Sequence, residues 1–349
     1  MTHLKSVERI ARMLVLIFCF ALSVAAQWQS VGNVAAVTQV KPNGVVFTTT
    51  SRAKASVEFF DLDVVRVRVA PSGKFERDFS YSFDTSVERK PADAKVTQTK
   101  TQIVLTSTSG SKVVINKTPL RITMFDAAGA EIVKDGSEPV RFNKATGEFA
   151  ATKFRSSEVE TYYGFGEKAF IEMSRNGKYI VNWNTDTFAY PIGTDPIYQS
   201  IPFFYALSDG KAYGLFFNNT FRSFFDMGKT SPDKYSFGAN GGELDYFVFT
   251  GGRERSPKKV LEDYTRLTGR TPLPPVWALG NQQSRWSYFP EKRVREIADG
   301  FRKNKIPADV IYWTSTIWTN TAFSLGTKND FPTRRRCWPI LRKTASGPC

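Results

Sequence analysis

Apolar residues recur at every second position over most of this chain, and that spacing constrains the fold more than any other feature. In the segment 63–69, Val65, Val67 and Val69 share one face while Arg66 and Arg68 share the other. That is how a half-exposed strand reads, because successive strand side chains point to opposite sides. Ile103-Val104-Leu105, Val113-Val114-Ile115 and the run 120–124 repeat the pattern, separated by clusters such as Ser109-Gly110-Ser111 and Ala127-Ala128-Gly129. The clearest hairpin sets 202–207 against 212–217 about a turn at Ser208-Asp209-Gly210-Lys211. Tyr246-Phe247-Val248-Phe249 supplies a late strand before Gly251-Gly252. Many short strands and no long helix from Trp28 to Gly252 predict a mainly β chain built on an antiparallel β-sandwich. No internal repeat, low-complexity tract or nucleotide-binding glycine fingerprint interrupts it.

The period changes at Ser256-Pro257, a capping residue followed by proline in the first turn of a helix. Val260, Leu261, Tyr264 and Leu267 form its apolar stripe and Gly269 suits its end. This helix and the proline-rich 271–275 mark a domain junction. From 274 to 312 the chain reads as strand, loop, helix, strand: an apolar run at 276–279, a loop with Arg285, Trp286 and Tyr288, then a helix opened by Pro290. Its buried stripe is Val294, Ile297, Ala298 and Phe301, its end Asn304-Lys305, and the second strand Val310-Ile311-Tyr312. Such a βαβ crossover favours parallel strands with a site at their carboxyl ends.

Residues 1–26 have the form of a secretory signal: Lys5, Arg9 and Arg12 precede an apolar stretch and small residues follow. The alternative is an uncleaved N-terminal anchor, although the stretch is short for a membrane span. The only histidine, His3, lies inside this segment, and Cys337 and Cys349 lie in the last 37 residues. The body between has neither residue type. That excludes Ser-His-Asp and Cys-His nucleophilic sites and imidazole or thiolate zinc sites. No metal or organic cofactor is implied. The formal charge of +15 invites a nucleic-acid partner, but residues 1–26 hold +2 of it and 313–349 hold +5. No basic run or nucleic-acid motif stands out in the remainder. Chemistry is left to carboxylates, hydroxyls, amides, Lys, Arg and aromatics.

Thr268-Gly269-Arg270 with Leu273-Pro274-Pro275, Trp277-Ala278-Leu279-Gly280, Gln283-Ser284-Arg285-Trp286-Ser287-Tyr288 and Ile306-Pro307-Ala308-Asp309-Val310-Ile311-Tyr312 together form a pattern that resembles glycoside hydrolase family 31, the retaining α-glycosidases that include α-glucosidases and α-xylosidases. Asn281 and Gln282 depart from the aromatic and His of many members. In the sandwich, Tyr163-Gly164-Phe165-Gly166-Glu167, the loop Asn182-Trp183-Asn184-Thr185-Asp186-Thr187 and the segments 193–204, 213–220 and 223–226 continue the likeness. The resemblance implies a galactose-mutarotase-like sandwich followed by the first βαβ portion of a (β/α)₈ barrel. Where the family continues with Leu-Asp-Ile-Asp-Tyr-Met-Asp, this chain reads Trp313-Thr314-Ser315-Thr316-Ile317-Trp318-Thr319. Codons for the latter, read one base earlier, accommodate the former, so the chain is expected to leave its frame near codon 312. The expected organisation is a signal at 1–26, sandwich at 27–252, linker helix and junction at 253–275, barrel start at 276–312 and out-of-frame tail at 313–349.

The resemblance assigns Asp186 to the sandwich loop that touches the sugar, against a plainer reading as a solvated turn residue. Tyr288 lines the sugar subsite or is simply a packed loop aromatic. Glu167 is read as structural, its carboxylate anchoring a loop between glycines; Arg285 as a partner for barrel carboxylates; Asp195 as part of a turn before Pro196. The family's two catalytic aspartates lie on later barrel strands and have no counterpart here. The expected function is therefore that of the N-terminal part of an exported α-glycosidase acting on an α-linked oligosaccharide or glycoside, itself inactive. The alternatives are a non-catalytic carbohydrate-binding sandwich and a structural or adhesive surface protein. The barrel-like 274–312 argues against both.

Overall fold

A computed structural model describes residues 28–88, 91–285, 288 and 290–312. The expected signal at 1–26 and the expected out-of-frame tail at 313–349 lie outside the described residues. The chain divides into two compact units, 1–270 and 271–349.

The first unit is built from β1 (Trp28–Ser30), β2 (Val34–Lys41), β3 (Gly44–Thr49), β4 (Lys54–Asp61), β5 (Val64–Ala70), β6 (Ala94–Gln98), β7 (Gln102–Ser107), β8 (Lys112–Lys117) and β9 (Leu120–Phe125). It continues through β10 (Glu131–Asn143), β11 (Phe149–Phe154), β12 (Thr161–Gly166), β13 (Tyr179–Asn182), β14 (Ser200–Ser208), β15 (Lys211–Phe217), β16 (Ser223–Asp226), β17 (Lys234–Ala239) and β18 (Leu244–Phe249) to a helix, α1 (Pro257–Thr268). One sheet runs β13-β16-β17-β11-β10-β9-β8-β7-β6 with β1 beside β10, and the other runs β12-β14-β15-β18-β5-β4-β3-β2. Every described pairing in these two sheets is antiparallel. The β14–β15 hairpin turns through Asp209 (φ 51°) and Gly210 (φ 74°). Two successive positive φ values match the right-handed twist of the flanking strands.

The inward faces interdigitate in one core, where Val65, Val67 and Val69 of β5 meet Phe47, Phe225, Phe237 and other apolar side chains. Alternation thus assigned the inward face of β5 correctly. The expected half-exposure was wrong, because all seven residues of β5 are buried, Arg66 and Arg68 included. The outer face is covered by α1 and by the segment 71–88. Arg66 forks onto Asp245 of β18 (Nε–Oδ1 2.9 Å, Nη2–Oδ2 2.8 Å) and onto Asp78 (2.8 and 3.1 Å). Arg68 binds Glu243 through Nε (2.7 Å) and Nη2 (2.9 Å) and reaches the Glu76 carbonyl at 3.1 Å. Burying a guanidinium is tolerable only when its donors find partners in this way.

Helix α1 lies on the remaining outer surface. Val260 and Leu267 join a buried cluster with Val64, Phe203, Phe216, Phe247 and Phe249, and Tyr264 stacks on Phe203 with centroids 3.8 Å apart. Leu261, expected on this stripe, is 43% exposed, and Asp263 is buried instead, tied to Lys259 at 2.6 Å.

The second unit holds β19 (Gln282–Gln283), α2 (Glu291–Lys303) and β20 (Val310–Ile311). β19 and β20 pair in parallel, Gln282 opposite Val310, so the βαβ expectation holds. The first strand is not at Val276–Leu279: that run is a single 3-10 turn closed by Ala278 N–H to Pro275 C=O (2.9 Å). Val276 and Leu279 are exposed there. Apolar composition identified the run, but a strand needs a neighbour to pair with, and β20 pairs six residues further on. Along α2, Val294 is buried and Ile297, Ala298 and Phe301 are half-buried, as the spacing predicts.

Candidate functional site

Asp186 stands exposed on the connection between β13 and β14, and this connection is tied down along its length. At its base Lys168, whose side chain is fully buried, donates to the Asp195 carboxylate at 2.6 Å and to the Val181 carbonyl at 2.8 Å. Asp195 accepts in turn from the Val181 N–H at 2.6 Å. Residues 181 and 195 are thereby clasped and the chain between them closes as a loop. Asp195 precedes a cis proline, and its carboxylate does more than the turn role expected of it. Further up, Thr185 Oγ1 donates to the Pro196 carbonyl (2.8 Å), Asn184 accepts the Ser200 N–H (2.8 Å) and the Tyr198 hydroxyl donates to Thr187 C=O (2.8 Å). Partial desolvation first and the Asp186 charge second push the Tyr198 hydroxyl above its ordinary pKa, so the two side chains share one field. Burial of Lys168 lowers its pKa, and the Asp195 contacts only partly offset this.

Phe188, Tyr190, Trp183 and Tyr198 also present ring surface on this loop, with Tyr190 and Tyr198 in edge contact at 5.7 Å. A carboxylate held among exposed rings can accept sugar hydroxyls while a ring covers the apolar face of a pyranose.

Tyr288 belongs to the second unit and is buried, packed with Val294, Ile297 and Ile311. Its hydroxyl accepts from Gln283 Nε2 at 2.7 Å, and the Arg285 guanidinium lies 6.0 Å from its ring centroid. Glu167 is exposed; its backbone N–H donates to Gln199 C=O at 3.0 Å, so the main chain makes the anchoring contact. The glycines beside it do supply tight geometry: a Cβ at Gly164 would meet the Phe203 carbonyl at 2.6 Å. Lys168 was missed in the sequence, because its partner lies 27 residues away and only the fold joins them.

One further charged cluster crosses the core. Lys153 of β11 is ion-paired with Asp135 of β10 and donates to the Tyr246 hydroxyl of β18 at 2.7 Å. Burial first, and Asp135 against it, leave Lys153 protonated with a raised pKa, while burial pushes Tyr246 up to about 12. All three are closed to solvent, so this cluster joins the two sheets and does no chemistry. Among the described residues no group of three His, Cys, Asp or Glu side chains is placed to hold a metal ion. Among them also, no helix is long and apolar enough to cross a membrane.

Comparison with known proteins places the two parts. Residues 54–226 match the glycosyl hydrolase 31 N-terminal galactose mutarotase-like domain, and 271–344 match the family 31 TIM-barrel domain. The second match runs past Tyr312, where the motif resemblance ends. The chain is 42% identical over 257 residues to alpha-glucosidase 2 of Bacillus thermoamyloliquefaciens, covering 73% of this chain and 31% of that protein. It is 35% identical to the alpha-xylosidase XylQ of Lactiplantibacillus pentosus over 44% of this chain and 19% of the relative. The chain thus spans a third or less of these relatives' lengths. Among solved structures, a dextranase from Flavobacterium johnsoniae complexed with isomaltotriose superposes with a TM-score of 0.79 at 30% identity, covering 91% of this chain and 38% of the other.

Proposed function

The chain belongs to glycoside hydrolase family 31, and from that premise we propose that it carries the sandwich and barrel opening of an exported retaining α-glycosidase. The substrate is an α-linked oligosaccharide or glycoside; both α-glucosidases and α-xylosidases are among the relatives, and the reading stays at their common reaction. The observation that carries it is the order of parts. The match to the mutarotase-like domain lies within the antiparallel sandwich, and the parallel β19–α2–β20 unit lies within the match to the barrel.

In this reading Asp186 offers its carboxylate to the sugar from the sandwich loop, and Tyr288 supports the first barrel loop from within its own unit. Residues 1–26 direct export. Retaining hydrolysis uses two carboxyl groups about 5–5.5 Å apart, one attacking the anomeric carbon and the other donating and then accepting a proton. The resemblance puts both aspartates on later barrel strands, so residues 28–312 by themselves are expected to hold substrate and not to cleave it. The test is to incubate the full chain with p-nitrophenyl α-glucoside and α-xyloside, alongside a gene with one base restored beside codon 312. Release is expected only from the restored reading frame. Hydrolysis by the 349-residue chain would overturn the proposed inactivity, and a restored product that cleaves neither would count against the α-glycosidase reading itself.

A further inference from the structure

A second recess lies on the outer face of the eight-stranded sheet, lined by neither Asp186 nor Tyr288. It is an open trough of about 260 Å³ between the segment 76–81 and the loop after β15. One wall carries Phe79 and Tyr81, in edge contact with centroids 4.8 Å apart; Tyr81 is 87% exposed. The other wall carries Phe221, 51% exposed. Its ring rests on Gly241-Gly242, where Cβ atoms would come within 2.8 and 3.1 Å of it, so the two glycines seat the ring with one face outward. Asn219 pins the same loop, accepting the Phe221 N–H at 2.8 Å and donating to Gly241 C=O at 3.0 Å.

The floor is polar and rigid. Asp245 is held by the Arg66 fork and by Asn218 Nδ2 at 2.7 Å, and Asn218 Oδ1 accepts from Ser80 at 2.6 Å. Glu243 is held by Arg68 and by the Glu76 N–H at 2.9 Å. Asp245 and Glu243 are already matched to arginines, while Arg77, over the Phe79 ring at 5.0 Å, and the exposed Glu76 bring one charge of each sign to the wall, so the trough offers oriented hydrogen-bonding atoms with its charges balanced. A carboxylate oxygen has more lone pairs than these contacts use. The trough meets a neighbouring recess of about 380 Å³ along Glu76, Gly242 and Glu243, which gives it length.

We propose that this trough is an accessory binding site for a neutral oligosaccharide, its rings covering pyranose faces and its floor accepting hydroxyls. The paired charges on the floor and the opposite charges of Arg77 and Glu76 on the wall leave no excess of either sign to favour a phosphate or a polycation. Polar atoms along the floor disfavour a purely apolar protein segment, which would leave them unpaired. The inference stands on sandwich side chains outside the Asp186 loop, so it survives or fails separately from the function proposed above.

The experiment titrates isomaltotriose into the full chain, followed by calorimetry and by ligand-observed NMR, using wild type and the variants Tyr81→Ala, Phe221→Ala and Asp186→Ala. The two ring variants remove exposed surface and leave the fold intact, which circular dichroism checks. Binding is expected in wild type, with the trough's share of it persisting in Asp186→Ala and weakened by about tenfold or more in each ring variant. Binding lost in Asp186→Ala and kept in the ring variants would overturn the trough and favour the loop. No binding in any protein would overturn it too, as would ring variants that change only self-association.

Discussion

Lys168 is the side chain on which the Asp186 loop closes. Removing one member of a buried ion pair leaves the other charge without a partner, which costs about 3–5 kcal/mol. Lys168→Met is therefore expected to lower the unfolding free energy by that amount, read as a lower urea midpoint, and to open the loop. Limited proteolysis reads the second effect: new cleavage is expected between residues 182 and 196, with Lys168→Arg restoring protection. The pH dependence has a definite sign. Burial lowers the folded pKa of Lys168 below its ordinary 10.5, so the unfolded chain binds the proton more tightly. Stability supplied by this group therefore rises as the pH climbs from the lowered value towards 10.5. Wild type is expected to gain over Lys168→Met in alkaline urea titrations; a loss would contradict the burial argument. Sequence reading singled out Asp186 as a candidate from the Asn-Trp-Asn-Thr-Asp-Thr run and gave no sign of the clasp beneath it. A motif records residues adjacent in the chain, whereas Lys168 and Asp195 meet only after β12 and β13 are in place.

At the scale of elements, the segment 71–88 behaves as a strap over β5 and β18. It has no strand or helix of its own; Arg66 and Arg68 hold its middle at Asp78 and Glu76, and its far end is held by Phe83 edge-on to Phe247 and by the Asp84 N–H donating to Leu267 C=O at 2.9 Å. Asp78 is 61% exposed, while Asp245 opposite it is buried. Burial raises the Asp78 pKa, but the Arg66 hydrogen bonds and charge outweigh this and hold it below 3.8. Its contribution is therefore complete above the unfolded value and is lost as the pH falls through the lowered one. Amide exchange at residues 76–81 is expected to accelerate in that acid window, before the sheets exchange. Asp78→Asn should produce the same local effect at neutral pH with a stability loss of about 1 kcal/mol or less, as for an exposed pair. Global unfolding by this variant would refute the strap. Alternation revealed which face of β5 points inward, since Val65, Val67 and Val69 repeat at period two. It gave no sign that the Arg66 face is covered, because the covering segment carries no periodic pattern. The displaced first strand of the second unit has a related cause: 276–279 is apolar but makes no ladder, while Gln282 and Gln283, unremarkable in composition, supply the backbone that β20 pairs with.

For the whole molecule, the placement of α1 decides where the sandwich unit can be cut. The helix buries Val260 and Leu267 on the outer sheet face and stacks Tyr264 on Phe203. Arg266 adds an ion pair to Asp61 of β4. Taken as a connector, the helix would be dispensable to the sheets. Its contacts instead close a cluster in which Val64, Phe203, Ala212, Phe216, Phe247 and Phe249 lose their cover if it is removed. A chain ending at residue 270 should fold as a soluble monomer with a cooperative transition. A chain ending at residue 252 should expose that face, lose several kcal/mol at about 25 cal/mol per Å² of uncovered apolar area, and self-associate. Size-exclusion chromatography and thermal unfolding of the two shortened chains, with α1 present or absent as the sole difference, measure this directly. Equal stability would make the helix a passive link; the expected difference makes it the last element of the sandwich core.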